Sequence, residues 1–387
     1  MSPGDRFPGL SLAQRPDLFD AIRAHGTASA GPVSPCAFGG ETGWLVSDLP
    51  TARALLTSSA GQKSRPAHSQ RLLGGVGVLQ ADQVRSVKRR LVTAMGREAR
   101  RQHLLAVHLD AALRGRESPP GPGTLTEALS ASLLAQLTGQ EPGSVDGGRL
   151  RELVRTSWAR LERPAGPAGH GPGGTEDDLA SFVHALVEAS HSGFTRHLRD
   201  EGWTTPRIAE ELRAMILAGW GSTTAAVLSA VSLGAASQCT RPALDEVLRM
   251  YPPSFMIARR IMEPRRAFPF AAGDLVLVSP WLIHRDGRAW ARPDDYTPSR
   301  WQTTPAPHWF LPFGLGPRRC PAATFARTQI AAAAELFADR FPPPVSGRLT
   351  LVESRSPALV PCWDDVPPSR ETRPAMGGGH FRRLSCG

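Results

Sequence analysis

Lysine is almost absent from this 387-residue chain: Lys63 and Lys88 are the two, leaving 43 of the 45 basic residues to arginine. The arginines are scattered, not gathered into a tract, so the formal charge of +10 argues poorly for nucleic acid and fits a GC-rich coding style. A basic surface still attracts acidic partners, proteins included. No apolar run approaches the roughly 18 residues of a membrane span, and the opening MSPGDRFPGL lacks the apolar core of a secretory leader. No membrane partner and a cytoplasmic location are the expectation. Cysteine is sparse: Cys36, Cys239, Cys320, Cys362 and Cys386 form no CxxC pair and no zinc spacing. His-x-x-His and His-Glu-x-x-His are missing as well, and no internal repeat is present. What the chain does have is 41% hydrophobic and 21% charged residues, a globular balance that excludes global disorder.

The hydrophobic pattern predicts a mainly α-helical fold with small β-sheets, and 387 residues suffice for one large domain or two ordinary ones. Helical spacing runs from about Gln83 to Leu113, over 124–139 with a threonine to cap its start, and over 149–161. The Gly/Pro-rich stretch 163–174 reads as a mobile surface loop, and the tail 366–387 as a disordered end. A single helix is expected from Thr175 to about Arg199. Thr205-Pro206 then opens a long, almost uncharged run to Ala236, read as one helix buried through the centre. Strand-like alternation appears late, in DLVLVSPW (274–281) and LTLVESRSPALVP (349–361).

Chemistry concentrates in FLPFGLGPRRCPAATFARTQIAAAAELF (310–337). Gly314 and Gly316 permit a tight loop that brings Cys320 to a helix N-terminus, where the helix dipole and nearby arginines favour a thiolate. Such a sulfur suits a metal or a nucleophilic role; a buried structural cysteine is the plainer alternative. Upstream, Glu246 and Arg249 lie three apart on one helix face and can form a bidentate pair.

The segment FGLGPRRCPA resembles the haem-binding loop of the cytochrome P450 family, Phe-x-x-Gly-x-Arg-x-Cys-x-Gly. Phe313, Gly316, Arg318 and Cys320 match, and Ala322 replaces the last glycine. Glu246-Val247-Leu248-Arg249 is similar to the family's Glu-x-x-Arg motif, and IHRDGRAWARPDDYTPSRW (283–301) resembles its meander, whose Arg300 would complete the network. AGWGSTT (218–224) resembles the oxygen-binding stretch of the central helix. Ala218 and Gly219 match there, but Gly221 stands at the acidic position and Ser222 at the threonine, with Thr223 beside it.

The resemblance implies haem b held by Cys320 as thiolate ligand, with the loop residues Phe313 and Gly314 beneath it and Ala218 and Gly219 above. Arg85, Arg89, Arg259 and Arg318 stand at propionate-binding places. None of His170, His184, His191, His197 or His284 is assigned to iron. Ser222 and Thr223 keep hydroxyls for proton delivery, whereas Gly221 has no proton to give. The resemblance further implies a haem-thiolate monooxygenase that inserts oxygen into a small-molecule substrate of specialised metabolism. No flavin or iron–sulfur segment is recognisable, so electrons are expected from ferredoxin and ferredoxin reductase. Ring formation, oxidative coupling or peroxide-driven chemistry is the alternative that the missing acid raises; a non-catalytic haem sensor is another. The resemblance also implies a single domain over 1–387, a lid-like role for the loop 163–174, and trimmed helices between Ser222 and Glu246, an interval short for the family.

Overall fold

Proline and short polar caps decide where helices begin in this chain. The computed structural model describes residues 19–362, apart from 21, 25–30, 39–40, 59–60, 64–74, 76–80, 163–177, 238–239, 265–267, 304–305, 342–345 and 353–355. The stretches 163–174 and 366–387, read as lid and tail, lie outside the described residues. After strands β1 (Val33–Phe38) and β2 (Glu41–Val46) comes α1 (Leu49–Thr57), where the Asp48 carboxylate accepts from the Thr51 N–H and Pro50 needs no partner. A short strand β3 (Gly61–Lys63) leads to α2 (Ala81–Ala99), α3 (Gln102–Ala112), α4 (Pro122–Thr138), α5 (Gly147–Glu162), α6 (Asp178–Glu188) and α7 (Gly193–Asp200). The central helices α8 (Thr205–Gly219) and α9 (Ser222–Ser232) precede α10 (Arg241–Met250). β4 (Ile257–Ile261), β5 (Leu275–Val278), the single turns α11 (Pro280–Ile283) and α12 (Arg300–Thr303), α13 (Ala323–Arg340), β6 (Ser346–Val352) and β7 (Ser356–Cys362) complete the described elements.

The strands form a five-stranded sheet in the order β1-β2-β5-β4-β3, parallel only between β2 and β5, and a separate β6–β7 hairpin. A mainly helical fold with small sheets is therefore what the structure has, as expected. The three early strands were not: their side chains carry too little alternation to separate them from turns, and pairing orders them, β2 with β5, β1 with β2 and β3 with β4.

Three helix expectations are corrected. Thr124 caps nothing, because α4 starts two residues earlier behind Gly121 with Pro122 in its first turn. The stretch expected as one helix to Arg199 is two. Ser192 takes the N-cap of α7, accepting from the Thr195 N–H at 3.1 Å and donating to Leu137 O at 2.6 Å, so local side-chain bonds outcompete helix continuation. His191 consequently falls between α6 and α7 and does not share a helix face with His184. The third correction matters most for function. The central helix breaks at Trp220–Gly221 and bends by 41°. Trp220 leaves helical geometry (ψ 120°), and Gly221 adopts φ 79°, the left-handed region that glycine enters at no steric cost.

No single described helix is long and apolar enough to cross a membrane; α8 and α9 pass that test only as a bent pair. Both serve the interior instead. α9 packs on α13, α4 and the β6–β7 hairpin, burying Ala225, Val227, Leu228 and Val231 against Ile330, Ala334 and Phe337. Full burial of each large side chain stabilises by about 2 kcal/mol, and that packing fixes the platform behind the cysteine loop. α10 follows α9 through one short 3₁₀ turn (Ala235–Ser237) among the described residues, in line with the trimmed interval.

A polar defect sits between α2, α4 and α7. Glu98 is 1% exposed; Arg101 approaches one carboxylate oxygen at 3.5 Å, while Oε2 has no partner among the described residues. Burial pushes the Glu98 carboxyl up, against the pull of Arg101 and Gln136. The unfolded chain loses this proton first, so the carboxyl costs nothing below about pH 4 and costs stability as pH rises through the raised folded value. Glu98→Gln is expected to raise Tm by about 2 °C at pH 7.5, roughly 1 kcal/mol, and to leave it unchanged at pH 4 by calorimetry.

Candidate active site

A fully buried carboxylate anchors the site. Glu246 on α10 receives two hydrogen bonds from Arg249, Nε to Oε2 at 2.9 Å and Nη2 to Oε1 at 2.8 Å, as the three-residue spacing predicts. Arg300 Nε donates to Oε1 at 2.8 Å, the Thr297 N–H at 3.0 Å, and Trp301 Nε1 reaches Oε2 at 3.0 Å. Burial alone would push the Glu246 carboxyl up, but the bonds and charge of Arg249, with Thr297 and Arg300, hold it below the usual carboxylate range. Two guanidiniums face one carboxylate. The excess cation is met by backbone: the carbonyls of His284, Pro293 and Asp295 accept from Arg249, and those of Ala291, Arg292 and Asp295 from Arg300. Residues 291–295 have no helix or strand to satisfy these groups, so the network itself folds the meander. It also holds Arg292 at φ 43°, a positive value found at no other non-glycine among the described residues.

His284 transmits this order to the cysteine loop. Its Nδ1 lies 3.1 Å from Arg249 O and its Nε2 accepts the Leu311 N–H at 3.0 Å, which fixes a neutral ring with the proton on Nδ1. Burial, then the Arg249 charge, pushes its pKa down to about 3. It is a structural link and not an iron ligand.

The loop begins one residue past Leu311 N. Gly314 and Gly316 both take φ 71°, and the Cys320 N–H donates to Phe313 O at 2.9 Å. A Cβ on Gly316 would collide with the Leu56 carbonyl of α1, so the loop is pressed onto that helix end. Cys320 lies two residues before the Ala322 cap of α13, half-buried and outside any disulfide. Ala322 has φ −90° and ψ 14°, which suits any L residue, so the replacement of the family's glycine causes no strain. Phe313 is held under the guanidinium of Arg327, 4.7 Å from its ring centroid, and Arg327 in turn pairs with Asp245 at 2.8 Å. This α13–α10 bridge escaped the sequence reading, since nothing in either residue's neighbourhood signals the other.

Of the four arginines at propionate places, two meet the loop. Gly314 lies against Ile257 of β4, which carries Arg259 in to Arg318. Arg259 is 5% exposed; its guanidinium donates to Ala258 O, and no carboxylate pairs with it among the described residues. Burial, then the Arg318 charge, pushes it down to about 10. Arg85 and Arg89 are exposed on α2 and their side chains make no hydrogen bond or ion pair among the described residues. The α2 cation that reaches the loop is Lys88, whose Nζ donates to Pro317 O at 2.8 Å.

The broken central helix presents a different surface. Ala218 is exposed although Leu217 and Trp220 on either side are buried, and a Cβ on Gly219 would meet nothing within 4 Å. Ser222 Oγ donates to Gly219 O at 2.9 Å, the back-bonding geometry that short hydroxyl side chains favour. Thr223 is half-buried and Thr224 buried. Gly221, the turn of the break, offers only backbone.

These features fit haem. A buried cation without a carboxylate partner suits an anionic propionate, the half-buried thiol suits iron, and the open face at Ala218–Gly219 suits a flat ring. Among the described residues no His/Cys/Asp/Glu cluster could hold a metal ion by itself.

Residues 238–343 match the family model described as Cytochrome P450. Cyclooctatin synthase of Streptomyces melanosporofaciens is 34% identical over 110 residues, 26% of this chain and 24% of that protein. The chain thus matches about a quarter of the length of the curated relatives. The likeness of fold is far wider. The cytochrome P450DA heme domain superposes with a TM-score of 0.70 at 17% identity, covering 90% of this chain and 95% of the other. A 6-coordinated cytochrome P450 from Thermus thermophilus gives 0.64 at 19% identity over 92% and 100%.

Glu246→Gln leaves two buried guanidiniums without their anion and is expected to cost roughly 3–5 kcal/mol in urea unfolding. Arg23→Ala, which removes an exposed pair with Asp294, should cost under about 1 kcal/mol. For His284 the folded pKa is depressed, so stability is present near neutral pH and lost as pH falls from about 6.5 toward about 3. Unfolding midpoints measured between pH 7 and pH 4 should fall less steeply in His284→Gln than in the parent.

Proposed function

We propose that the chain is a cytochrome P450-type haem-thiolate monooxygenase that inserts one atom of dioxygen into a small organic substrate, a reading supported by the family-model match over residues 238–343 and by the likeness of fold. The observation that carries the reading is the cysteine loop: one thiol on a loop whose Arg318 faces a buried Arg259 that pairs with no carboxylate among the described residues. Haem b, when bound, supplies the oxygen activation and the oxidising power. Cys320 would hold its iron, while Arg259 and Arg318 would take the propionates. Phe313 and Gly314 would lie beneath the ring and Ala218 and Gly219 would leave it room above.

The chain's own contribution to proton delivery rests on hydroxyls. Ser222 spends its proton on Gly219 O, which leaves its oxygen to accept from water or from a substrate hydroxyl. Thr223, one residue on, offers a second hydroxyl. Gly221 supplies no acid, so protons reach the site through water. The same feature supports a second reading, oxidation by ring formation or coupling without oxygen insertion.

Electrons come from a separate ferredoxin and its reductase in this proposal. Exposed Arg85, Arg89 and Arg319 form a basic rim beside the cysteine loop that suits an acidic protein. Arg85 and Arg89, exposed on α2, are also available to the propionates. A substrate from specialised metabolism draws its support from the likeness to a relative named for cyclooctatin synthesis.

The reduced, carbon monoxide-treated protein should show a strongly red-shifted thiolate-type absorption band that Cys320→Ala abolishes; a histidine-type band in the parent would defeat the proposal. Arg259→Ala should weaken haem retention on the order of tenfold, the worth of one buried charge-assisted bond. Products formed under labelled dioxygen should carry the label, and unlabelled oxidised product would favour ring formation or coupling.

A further inference from the structure

Lys88 is one of two lysines in a chain that otherwise uses arginine for every cation. It projects from α2 into the turn Gly316–Arg318, where its Nζ donates to Pro317 O at 2.8 Å, three residues before Cys320. The opposite side of that turn is pressed against Leu56 and Thr57 by Gly316, so the loop is gripped between α1 and α2. No carboxylate pairs with Lys88 among the described residues. Its charged neighbours are Arg318 and Arg319, which repel it, and Cys320, which attracts it once ionised. Burial is the largest influence on the ammonium and pushes it down. The half-buried ammonium is tied by its bond to Pro317 O to a turn three residues before Cys320, where burial leaves its charge less screened than an exposed one. The residue type fits the geometry. A single carbonyl needs one donor, and an ammonium is a compact point charge where a guanidinium would spread its fork into Arg318 and Arg319.

We propose that Lys88 is a positioning residue for the haem centre: it fixes the Pro317 carbonyl and brings a positive charge to the loop that carries Cys320, raising the reduction potential of the iron. The inference rests on the haem-thiolate reading above. It differs from a partner-docking role, because the effect belongs to the isolated protein.

Potentiometric titration of the haem-loaded full chain tests it. Lys88→Gln, which keeps a donor but not the charge, should move the potential in the negative direction, and Lys88→Glu further. Lys88→Arg should recover most of the parental value. Arg100→Met, which removes an exposed charge just beyond α2, should leave the potential unchanged. The Lys88 shift should persist at 0.5 M salt, where exposed charges are screened. An unchanged potential in Lys88→Gln and Lys88→Glu, or an equal shift in Arg100→Met, would overturn the inference, as would an effect confined to KM for the electron donor. Parental protein without a thiolate-type carbon monoxide band would instead overturn the underlying haem-thiolate reading.

Discussion

Glu246 has lost all its water, and the cysteine half of the molecule is organised around what replaces it. Two guanidiniums, one indole N–H and one backbone N–H converge on its two oxygens. Breaking such a cluster costs far more than its net contribution, because each remaining ion would stay buried without its counterion. The surplus positive charge then gathers carbonyls from 284–295, a segment with no repetitive structure of its own. A meander that would otherwise be a loose loop becomes a rigid strut between α10 and the cysteine loop. His284 completes it, with one ring nitrogen on Arg249 O and the other on Leu311 N.

The loop that follows is held on three sides. His284 sets its entry, Gly316 lets it press against the end of α1, and Lys88 fixes Pro317 from α2. Cys320 therefore occupies a defined place before α13 without any cap side chain on that helix. Electrostatically the loop is cationic: Arg318 and Arg319 precede the sulfur in the chain, Lys88 feels the charge of all three, and the buried Arg259 feels that of Arg318. Such a field favours anions, the thiolate and a carboxylate-bearing ligand alike. The central helix is interrupted. Gly221, at the acidic position of the family's pattern, turns the chain through a left-handed step, and the hydroxyls of Ser222 and Thr223 open α9 just after it.

Short-range signals were readable wherever one segment holds all the partners. FGLGPRRCPA announced a glycine-permitted loop ending in cysteine, and Glu246–Arg249 announced a bidentate pair, because helix periodicity alone brings residues three apart together. Arg259 was placed correctly as a strand arginine. Lys88 shows the limit: a helix face cannot be assigned a direction until its neighbours are known, and nothing local announced that α2 would send Lys88 to the Pro317 carbonyl. Asp245 with Arg327, and Trp301 on Glu246, are pairs more than fifty residues apart, beyond the reach of any local pattern.

The break at Trp220–Gly221 teaches the same lesson from the other side. Apolar composition from Ile208 to Ala236 suggested one buried rod, since hydrophobicity reports burial and not continuity. Whether a glycine bends a helix depends on what surrounds it, here a buried Trp220 and the packing of α9 on α13 and the hairpin. The amino-acid sequence by itself determined the helical class, the cysteine that is available for a metal and the acid that is missing, because these are matters of residue identity and local period. Only the tertiary structure decided which cations face the sulfur, where the central helix breaks and how the meander is held. Those outcomes depend on which distant groups are left to satisfy a buried charge.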